Sequence, residues 1–451
     1  MRPATFRALV GLAAAATLLA QAAGPGGADA ASGPAPRTPI RHFIMLMQEN
    51  HSFDNYFGTY PGADGIPAGT CMPLHPAKPA MGCVKPHHLG QGPRPDHSHD
   101  HKTALRQLHG GKLDGFVWAL RLRQQDGSVA MGYYDRRDLP FHWAVADQYV
   151  LFDRFFSSSL QGGAFNHMFW VAGRPTPGDA PTIFDRLQAR GISWKFYVAG
   201  HDPGLNARTP PAKRDARWVR VTDDVPILRM ARFADDPGLA SHVVDLSEYY
   251  RDLQEGTLPA VSFMVDYGAS EHPAGNLELG QRLVRSLLNT LMASPAWKDS
   301  AFLYAYDDWG GWYDHVAPPK ADAFGYGFRV PALLVSPYAR RGYVDHTRLD
   351  QTAGIKFIEQ NYGLEPLAAR DAAASTFTGA FDFSRPPRSP SLIFEGSTVG
   401  GGALVRRPPS GLLYGFYAAA FAVALLVFAA ALGTSRRRAR ATPRPGRGGV
   451  G

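Results

Sequence analysis

Two short segments of this 451-residue chain each set two oxygen-donor side chains side by side: Glu49-Asn50 and Asp307-Asp308. Carboxylate and amide oxygens are the ligands that hard divalent cations prefer, and they suit Ca²⁺, Mg²⁺ and Mn²⁺ alike. Adjacent carboxylates repel each other unless something cationic lies between them. We therefore expect Glu49, Asn50, Asp307 and Asp308 to hold one divalent ion.

The first of these segments has a second interpretation. Glu49-Asn50 is followed by His51-Ser52-Phe53-Asp54, and Asn, Ser and Asp side chains commonly bond to nearby backbone in turns and helix caps. Taken alone, the segment fits a capping cluster at least as well as a metal site. The metal interpretation depends on the two segments meeting in space.

Predicted strands and helices that alternate along the chain indicate how the two oxygen-donor segments meet. Short apolar runs typical of buried strands occur at 42–47, 194–198, 261–265, 301–306 and 332–335, and helical patterns lie between them, including an apolar face from Leu277 to Leu291 and a helix over 354–362. Strands that interleave with helices predict an α/β fold with a large, mostly parallel sheet sandwiched by helices. Ligands in such sheets sit outside the carboxyl ends of the strands, where Glu49-Asn50, Glu271-His272 and Asp307-Asp308 are all expected.

Five motifs in order along residues 40–365 resemble one known family. They are QENHSFDNYFG from Gln48, GGKLDGF from Gly110, SEHP from Ser270, DDWGGWYDHVAPP from Asp307 and VSPYARRGYVDHT from Val335. Together they resemble the bacterial phosphoesterase family of phospholipase C and acid phosphatases, within the alkaline phosphatase superfamily. The resemblance implies an alkaline-phosphatase-like fold and hydrolysis of phosphoric esters.

The resemblance also implies roles for individual residues. In that family the Glu-Asn and Asp-Asp pairs bind the metal, which carries over onto the four donors above, and histidines contact the phosphate and the leaving group. The matching histidines are His99, with His101 as the second choice, His272 and His315. Imidazole suits this work because it can stabilise phosphoryl charge and deliver a proton near neutral pH.

The chain departs from the family at the nucleophile. The family carries a Ser or Thr just before an Asn, whereas the matching segment here reads QGGAFNH, with Ala164, or Gly163 if no gap is allowed, at that position. Asn166 remains and is expected to contact phosphate. Three interpretations stay open: Ser159 or a neighbour takes over, the metal activates water directly, or hydrolysis is lost and a phosphate- or phospholipid-binding protein remains.

Both ends of the chain resemble targeting segments. Arginines precede an apolar run and an Ala-Asp-Ala site within residues 1–30, the order of a secretory signal, although a first membrane helix is the alternative. Residues 411–433 are uncharged and long enough to cross a bilayer, and the arginine-rich tail 434–451 predicts a cytoplasmic C-terminus. We expect a single-pass membrane protein whose catalytic domain lies outside the cytoplasm.

The remaining chain divides simply. We expect linkers at 31–39 and 385–410 around one phosphoesterase domain at 40–384, with residues 200–240 forming a surface insertion. The net charge of +8 comes mostly from the signal (+1) and the tail (+6), so the rest carries +1 and gives no reason to expect nucleic acid as a partner. Cys71 and Cys83 are expected to form a local disulfide, because a zinc site would need more ligands nearby.

Overall fold

The computed structural model describes residues 33–394 apart from 91, 93, 176 and 177. The predicted signal at 1–30, most of the second linker, the membrane helix at 411–433 and the basic tail lie outside the described residues. Within the described part of the chain, no helix combines the length and apolar character that a membrane span requires. The membrane topology therefore stays a prediction from the sequence.

Strands and helices alternate through the described residues. The strands are β1 (His42–Gln48), β2 (Met72–Pro73), β3 (Cys83–Val84), β4 (His87–His88), β5 (Gly132–Tyr133), β6 (Val150–Phe152), β7 (Phe155–Phe156), β8 (Trp194–Val198), β9 (Val243–Asp245), β10 (Val261–Val265), β11 (Ser300–Tyr306), β12 (Ala332–Val335), β13 (Tyr343–Asp345) and β14 (Leu349–Asp350). The helices are α1 (Phe53–Phe57), α2 (His101–Leu108), α3 (Phe116–Arg121), α4 (Pro140–Gln148), α5 (Gly163–Ala172), α6 (Ile183–Ala189), α7 (Ala216–Asp224), α8 (Ala231–Asp235), α9 (Pro237–Ala240), α10 (Ser247–Glu255), α11 (Leu277–Ala293), α12 (Thr352–Tyr362) and α13 (Ala369–Ala373).

Eight of the strands form one sheet in the order β13-β6-β12-β11-β1-β10-β8-β9. Every neighbouring pair is parallel except the two pairs that involve β12, which runs antiparallel to β11 and β6. The expected α/β fold with a mostly parallel sheet is confirmed. All five predicted strands are present, and the sequence pattern missed β6, β9 and β13, because strands of three residues carry too little periodicity.

The burial of the central strands explains why continuous apolar runs in the sequence predicted them. β10, β11 and β12 are buried at every residue, so both faces of the sheet are covered. Strands buried on both faces appear as continuous apolar runs rather than as alternating ones. One of the covering helices is α11, which turns Val284, Leu287, Leu288 and Leu291 inward, as its spacing predicts.

Two stretches expected at the surface or in linkers are packed instead. In the 200–240 region, α7 and the turn after it bury Val221, Val225 and Ile227 in the main core. Beyond residue 384, the backbone carbonyl of Arg388 accepts a hydrogen bond from the Trp297 indole, and Ile393 is fully buried. High Pro, Gly and charge content predicted loops at both places, but tertiary contacts fix them against the domain.

The cysteine prediction is confirmed, because Cys71 and Cys83 are joined by a disulfide. The bond closes a short segment in which β2 and β3 pair antiparallel. It lies beside a small hydrophobic cluster of the described residues that includes Met72 and Trp309. The disulfide therefore holds the loop that packs behind the Asp307-Asp308 segment.

Candidate metal centre and active site

The two oxygen-donor segments meet because β1 and β11 are adjacent parallel strands that end together. The register pairs Gln48 with Tyr306, so the next residues of both strands leave the sheet at the same edge. The backbone N–H of Asn50 donates to Asp307 Oδ1 at 3.0 Å, and the N–H of Asp307 donates to the Gln48 carbonyl at 3.0 Å. The structure thus brings Glu49-Asn50 and Asp307-Asp308 to one place.

Backbone geometry makes this meeting tight. Asn50 adopts a left-handed conformation at φ 67°, which asparagine tolerates better than most residues. Gly310 also has a positive φ, and a β-carbon there would lie 2.1 Å from the Asn50 carbonyl oxygen. Only glycine permits this approach, which explains the first glycine of the Asp-Asp-Trp-Gly-Gly motif.

The carboxylates of this site are buried, and among the described residues no lysine or arginine ion pair reaches Asp307 or Asp308. The imidazoles of His99 and His272 offset part of the charge of Asp308. Asp307 is 3% exposed and Asp308 is fully buried. Burial raises the pKa of both groups, and for Asp307 the neighbouring carboxylates of Asp308 and Glu49 raise the pKa further. Asp308 Oδ1 accepts a hydrogen bond from the N–H of Gly310, while Asp308 Oδ2 has no partner among the described residues.

An orphaned, buried carboxylate oxygen is costly, because its desolvation is not offset by any contact. A divalent cation would offset it for all the acids at once, and the donors are the hard oxygens that such ions take. The residues present therefore fit a metal ion. Glu49, Asn50, Asp307 and Asp308 are the side chains that would hold it.

One acid near these residues was not found from the sequence. Asp224, at the end of α7, lies close enough to Glu49 and Asp307 for their charges to act on it. Burial raises the pKa of Asp224 well above its ordinary value, the charges of Glu49 and Asp307 raise the pKa further, and Arg220 opposes them. The region was assigned to a surface insertion because of its prolines and charges, and no local signal in it marks Asp224.

Two of the three predicted histidines border the donors. His99 Nε2 lies 3.5 Å from Asn50 Nδ2, and its other ring nitrogen bonds to the His97 carbonyl at 2.5 Å. Burial lowers the pKa of His99, but Asp308 and Asp96 outweigh it and the pKa is raised overall. His272 Nε2 lies 3.9 Å from Glu49 Oε2.

The second choice among the histidines of that segment does not border the donors. A ring nitrogen of His101 bonds to the Leu160 carbonyl at 3.0 Å. His101 is also the first residue of α2, which Asp100 caps by accepting the N–H of Thr103. The structure therefore favours His99 over His101 as the histidine beside the candidate metal centre.

His315 lies in a different cluster. Its Nδ1 bonds to Asp54 Oδ2 at 2.7 Å, and its Nε2 lies 3.3 Å from Asp64 Oδ1. Arg329, which is fully buried, bonds to Asp314 at 2.8 Å and to Asp54 at 3.0 Å. Carboxylate and imidazole atoms of Asp54, Asp314 and His315 are close enough to hold a metal, but the guanidinium already supplies the positive charge there.

The structure also shows how the nucleophile segment lies. A β-carbon built on Gly163 would lie 2.4 Å from Asp307 Oδ2 and 3.8 Å from Asp308 Oδ2, so position 163 faces the donors. Ala164 instead lines a separate apolar cavity. The ungapped match therefore fits the structure better, and it places Gly163 rather than Ala164 where the family has its nucleophile.

The neighbouring candidates of this segment face inward. Ser159 is fully buried, and its N–H and hydroxyl both donate to Asn166 Oδ1, at 2.9 and 3.1 Å. Asn166 thereby holds the turn before α5. Among the described residues, no hydrogen bond joins Ser159 or Asn166 to Glu49, Asp307 or Asp308.

Two cavities flank the donors. A polar one of about 230 Å³ is lined by Arg220, Tyr267, His272 and Asn276, among others. An apolar one of about 260 Å³ is lined by Ala164, Phe165, Met168 and Met230, among others, and begins at the residue after Gly163.

Fold and site together define a class: an α/β protein whose candidate active site lies at the carboxyl ends of its central strands and is lined by carboxylates and imidazoles. The chain belongs to the Phosphoesterase family, whose model matches residues 40–365. The expectation of a phosphoric ester hydrolase is confirmed at this family level.

Individual relatives agree with that assignment. Phospholipase C A of Mycobacterium tuberculosis is 31% identical, with 79% of this chain and 80% of that protein covered. Non-specific phospholipase C1 of Arabidopsis thaliana is 26% identical, with 78% and 72% covered. A solved protein of the alkaline phosphatase superfamily from Vibrio parahaemolyticus matches with a TM-score of 0.37 and 11% identity over 76% of this chain and 72% of that one, too distant to bear on the site.

Proposed function

We propose that this chain is a metal-dependent phosphoric ester hydrolase of the phospholipase C type that works without a side-chain nucleophile. The observation that carries the proposal is the group of buried carboxylates at the ends of β1 and β11, with Asp308 Oδ2 unpartnered among the described residues. A bound divalent ion there would polarise a phosphoryl oxygen and lower the pKa of a water molecule.

Attack on phosphorus would then come from water. A P–O bond forms to the water oxygen, the P–O bond to the leaving group breaks, and the attacking water loses a proton to solvent or to a carboxylate. With no side chain at Gly163, the Asp307 carboxylate occupies the space that such a side chain would take. His99, whose Nε2 lies 3.5 Å from Asn50 Nδ2, is suited to give a proton to the departing alkoxide oxygen.

The two flanking cavities favour a lipid over a small phosphomonoester. The polar cavity beside His272 and Arg220 suits a charged head group, and the apolar cavity at Ala164 and Met168 suits an acyl chain. The apolar cavity is close to the smaller ligand sites, which start at roughly 300 Å³. Relatives named phospholipase C support the same substrate class.

The expected location follows from the terminal segments. Export by residues 1–30 and anchoring by residues 411–433, with the basic tail inside, would place the catalytic domain at the outer face of the cell membrane, close to phospholipid head groups. The Cys71–Cys83 disulfide fits an oxidising compartment.

One assay tests the activity. The purified chain is given p-nitrophenylphosphorylcholine, p-nitrophenyl phosphate and a phosphatidylcholine vesicle, with and without chelator. We expect turnover of the choline ester and the lipid that chelator and Asp307→Asn both abolish. Asp235→Asn, which changes an exposed carboxylate paired with Arg208, should preserve it. Turnover unaffected by chelator and by Asp307→Asn would reject the metal-centred mechanism.

Gly163 also favours a second candidate, a phosphate- or phospholipid-binding protein without turnover, because the family's nucleophile is absent. It predicts no hydrolysis of any of the three compounds together with binding of phosphatidylcholine vesicles. Turnover that scales with purified protein and is lost in Asp307→Asn would exclude it.

A further inference from the structure

Asp224 reaches the candidate metal centre on a helix that packs firmly into the domain. Val221 and Val225, on either side of Asp224 in α7 and the turn after it, lie in the main core, and Thr222 is fully buried. Helix α5 also packs against α7. These contacts fix the end of α7 that carries Asp224.

The Asp224 carboxyl is buried near other acids. Asp224 Oδ2 is buried with no partner among the described residues, and Glu49 and Asp307 lie close enough for their charges to raise the pKa of Asp224. No lysine or arginine ion pair in the described part of the chain reaches Asp224, Asp307 or Asp308; Arg220 acts on Asp224 only as a nearby charge.

A second group of buried acids in the same domain is compensated by an arginine. Asp54 and Asp314 are also buried together, and there Arg329 bonds to both carboxylates. Buried charges that lack such a partner are strongly destabilising unless a metal or another cation compensates them. The acids around Asp224 therefore call for a cation that comes from solution.

We propose that Asp224 is a further ligand of the ion held by Glu49, Asn50, Asp307 and Asp308, approaching from the 200–240 region. This inference rests on the metal site of the proposed function. It gives that site a fourth carboxylate, and so a more negative ligand set than the family motifs predict.

The test measures metal binding rather than activity. Mn²⁺ is titrated into the metal-free full-length protein by calorimetry, and the waters on bound Mn²⁺ are counted from the broadening of its EPR lines in ¹⁷O-water. We expect Asp224→Asn to weaken Mn²⁺ binding at least about tenfold, which is the low end of what disturbing a metal site costs. It should also add one bound water, since a lost ligand is replaced by solvent.

Two variants control for charge and for the helix. Asp96→Asn removes an exposed carboxylate whose charge acts on Asp308. Asp223→Asn changes the neighbour of Asp224 in the chain, and it is Asp223 that forms an ion pair with Arg229. Both should bind Mn²⁺ within about threefold of the unchanged protein, because partly exposed charges are screened by solvent, and both should keep its water count. In chelator, Asp224→Asn should melt at a higher temperature than the unchanged protein, because it relieves repulsion.

The outcomes separate this inference from the proposed function. If Asp307→Asn loses Mn²⁺ binding but Asp224→Asn matches Asp96→Asn in affinity and water count, Asp224 is not a ligand and only this inference is overturned. If Asp307→Asn also binds Mn²⁺ normally, the metal site itself is rejected. A lower melting temperature of Asp224→Asn in chelator with unchanged Mn²⁺ affinity would assign Asp224 a purely structural role and overturn the inference.

Discussion

The α-carbon of Gly163 faces Asp307 so closely that a β-carbon on it would lie 2.4 Å from Asp307 Oδ2. The carboxylate cannot simply turn away, because Asp307 Oδ1 accepts the N–H of Asn50 at 3.0 Å. Position 163 has therefore become part of the carboxylate site. The residue that stands at the family's nucleophile position is therefore also the residue against which the Asp307 carboxylate packs.

Gly163→Ser tests that relationship. Its β-carbon must displace Asp307, so we expect the metal-free protein to lose about 1–3 kcal/mol of unfolding free energy, the usual cost of overpacking a filled site. With Mn²⁺ present, the new hydroxyl faces the donors, and kcat for p-nitrophenylphosphorylcholine should rise by at least an order of magnitude as a covalent route opens. Urea unfolding and steady-state kinetics measure the two effects.

Ala164→Ser is the matched control for that substitution. Its side chain enters the apolar cavity rather than the acid site, so neither stability nor kcat should change more than slightly. A gain of activity in Ala164→Ser without one in Gly163→Ser would contradict the assignment of position 163.

We expect His99 to serve the reaction and His315 to stabilise the fold. We expect His99→Gln to lower kcat by about 10²–10⁴, the usual contribution of a general acid. Since the acid must carry its proton, the activity of the unchanged protein should fall as pH rises and His99 loses that proton. His99→Gln should lose that basic limb of the pH–rate profile.

His315→Gln should behave differently. It breaks a hydrogen bond to the buried Asp54, so we expect a loss of about 1–3 kcal/mol in unfolding free energy and a kcat close to normal. Urea unfolding and steady-state kinetics of His99→Gln and His315→Gln distinguish a catalytic role from a structural one. A large loss of kcat in His315→Gln at unchanged stability would restore the catalytic role that the family resemblance implies.

Arg329 should be among the most sensitive positions for stability. It is fully buried and bonds to Asp54 and Asp314, so Arg329→Met removes the guanidinium charge that compensates these two buried carboxylates. We expect a cost of about 3–5 kcal/mol in unfolding free energy, measured by urea unfolding. Arg385→Met, which removes a pair with Asp382 through a side chain that is 80% exposed, should cost under about 1 kcal/mol.

Glu359 gives the protein a pH-dependent stability remote from the metal centre. Burial and the adjacent Asp371 raise its pKa from 4.5 to about 9. The folded state therefore holds a proton that the unfolded state releases, and stability falls as pH rises between about 4.5 and 9.

Glu359→Gln imitates the protonated side chain and should remove that dependence. At pH 8 it should be more stable than the unchanged protein by roughly 1–2 kcal/mol, a figure discounted for solvent screening, and near pH 4.5 the two should be equal. Urea unfolding at both pH values measures this. Glu365→Gln, an exposed change nearby, should match the unchanged protein at both.

The sequence by itself determined the sheet, the two oxygen-donor segments and the disulfide. Continuous apolar runs predicted the five central strands, because strands buried on both faces need apolar side chains at every position. The family motifs located Glu49-Asn50 and Asp307-Asp308, and parallel strands that end at one edge made their meeting predictable.

Only the tertiary structure decided which residues share the site. Asp224 comes from a charged, proline-rich stretch with no motif, and it lies near Glu49 while Val221 and Val225 anchor α7 in the core. His315 carries a family motif but faces Asp54 and Arg329. Direction and distance between segments far apart in the chain depend on packing, which local sequence patterns do not encode.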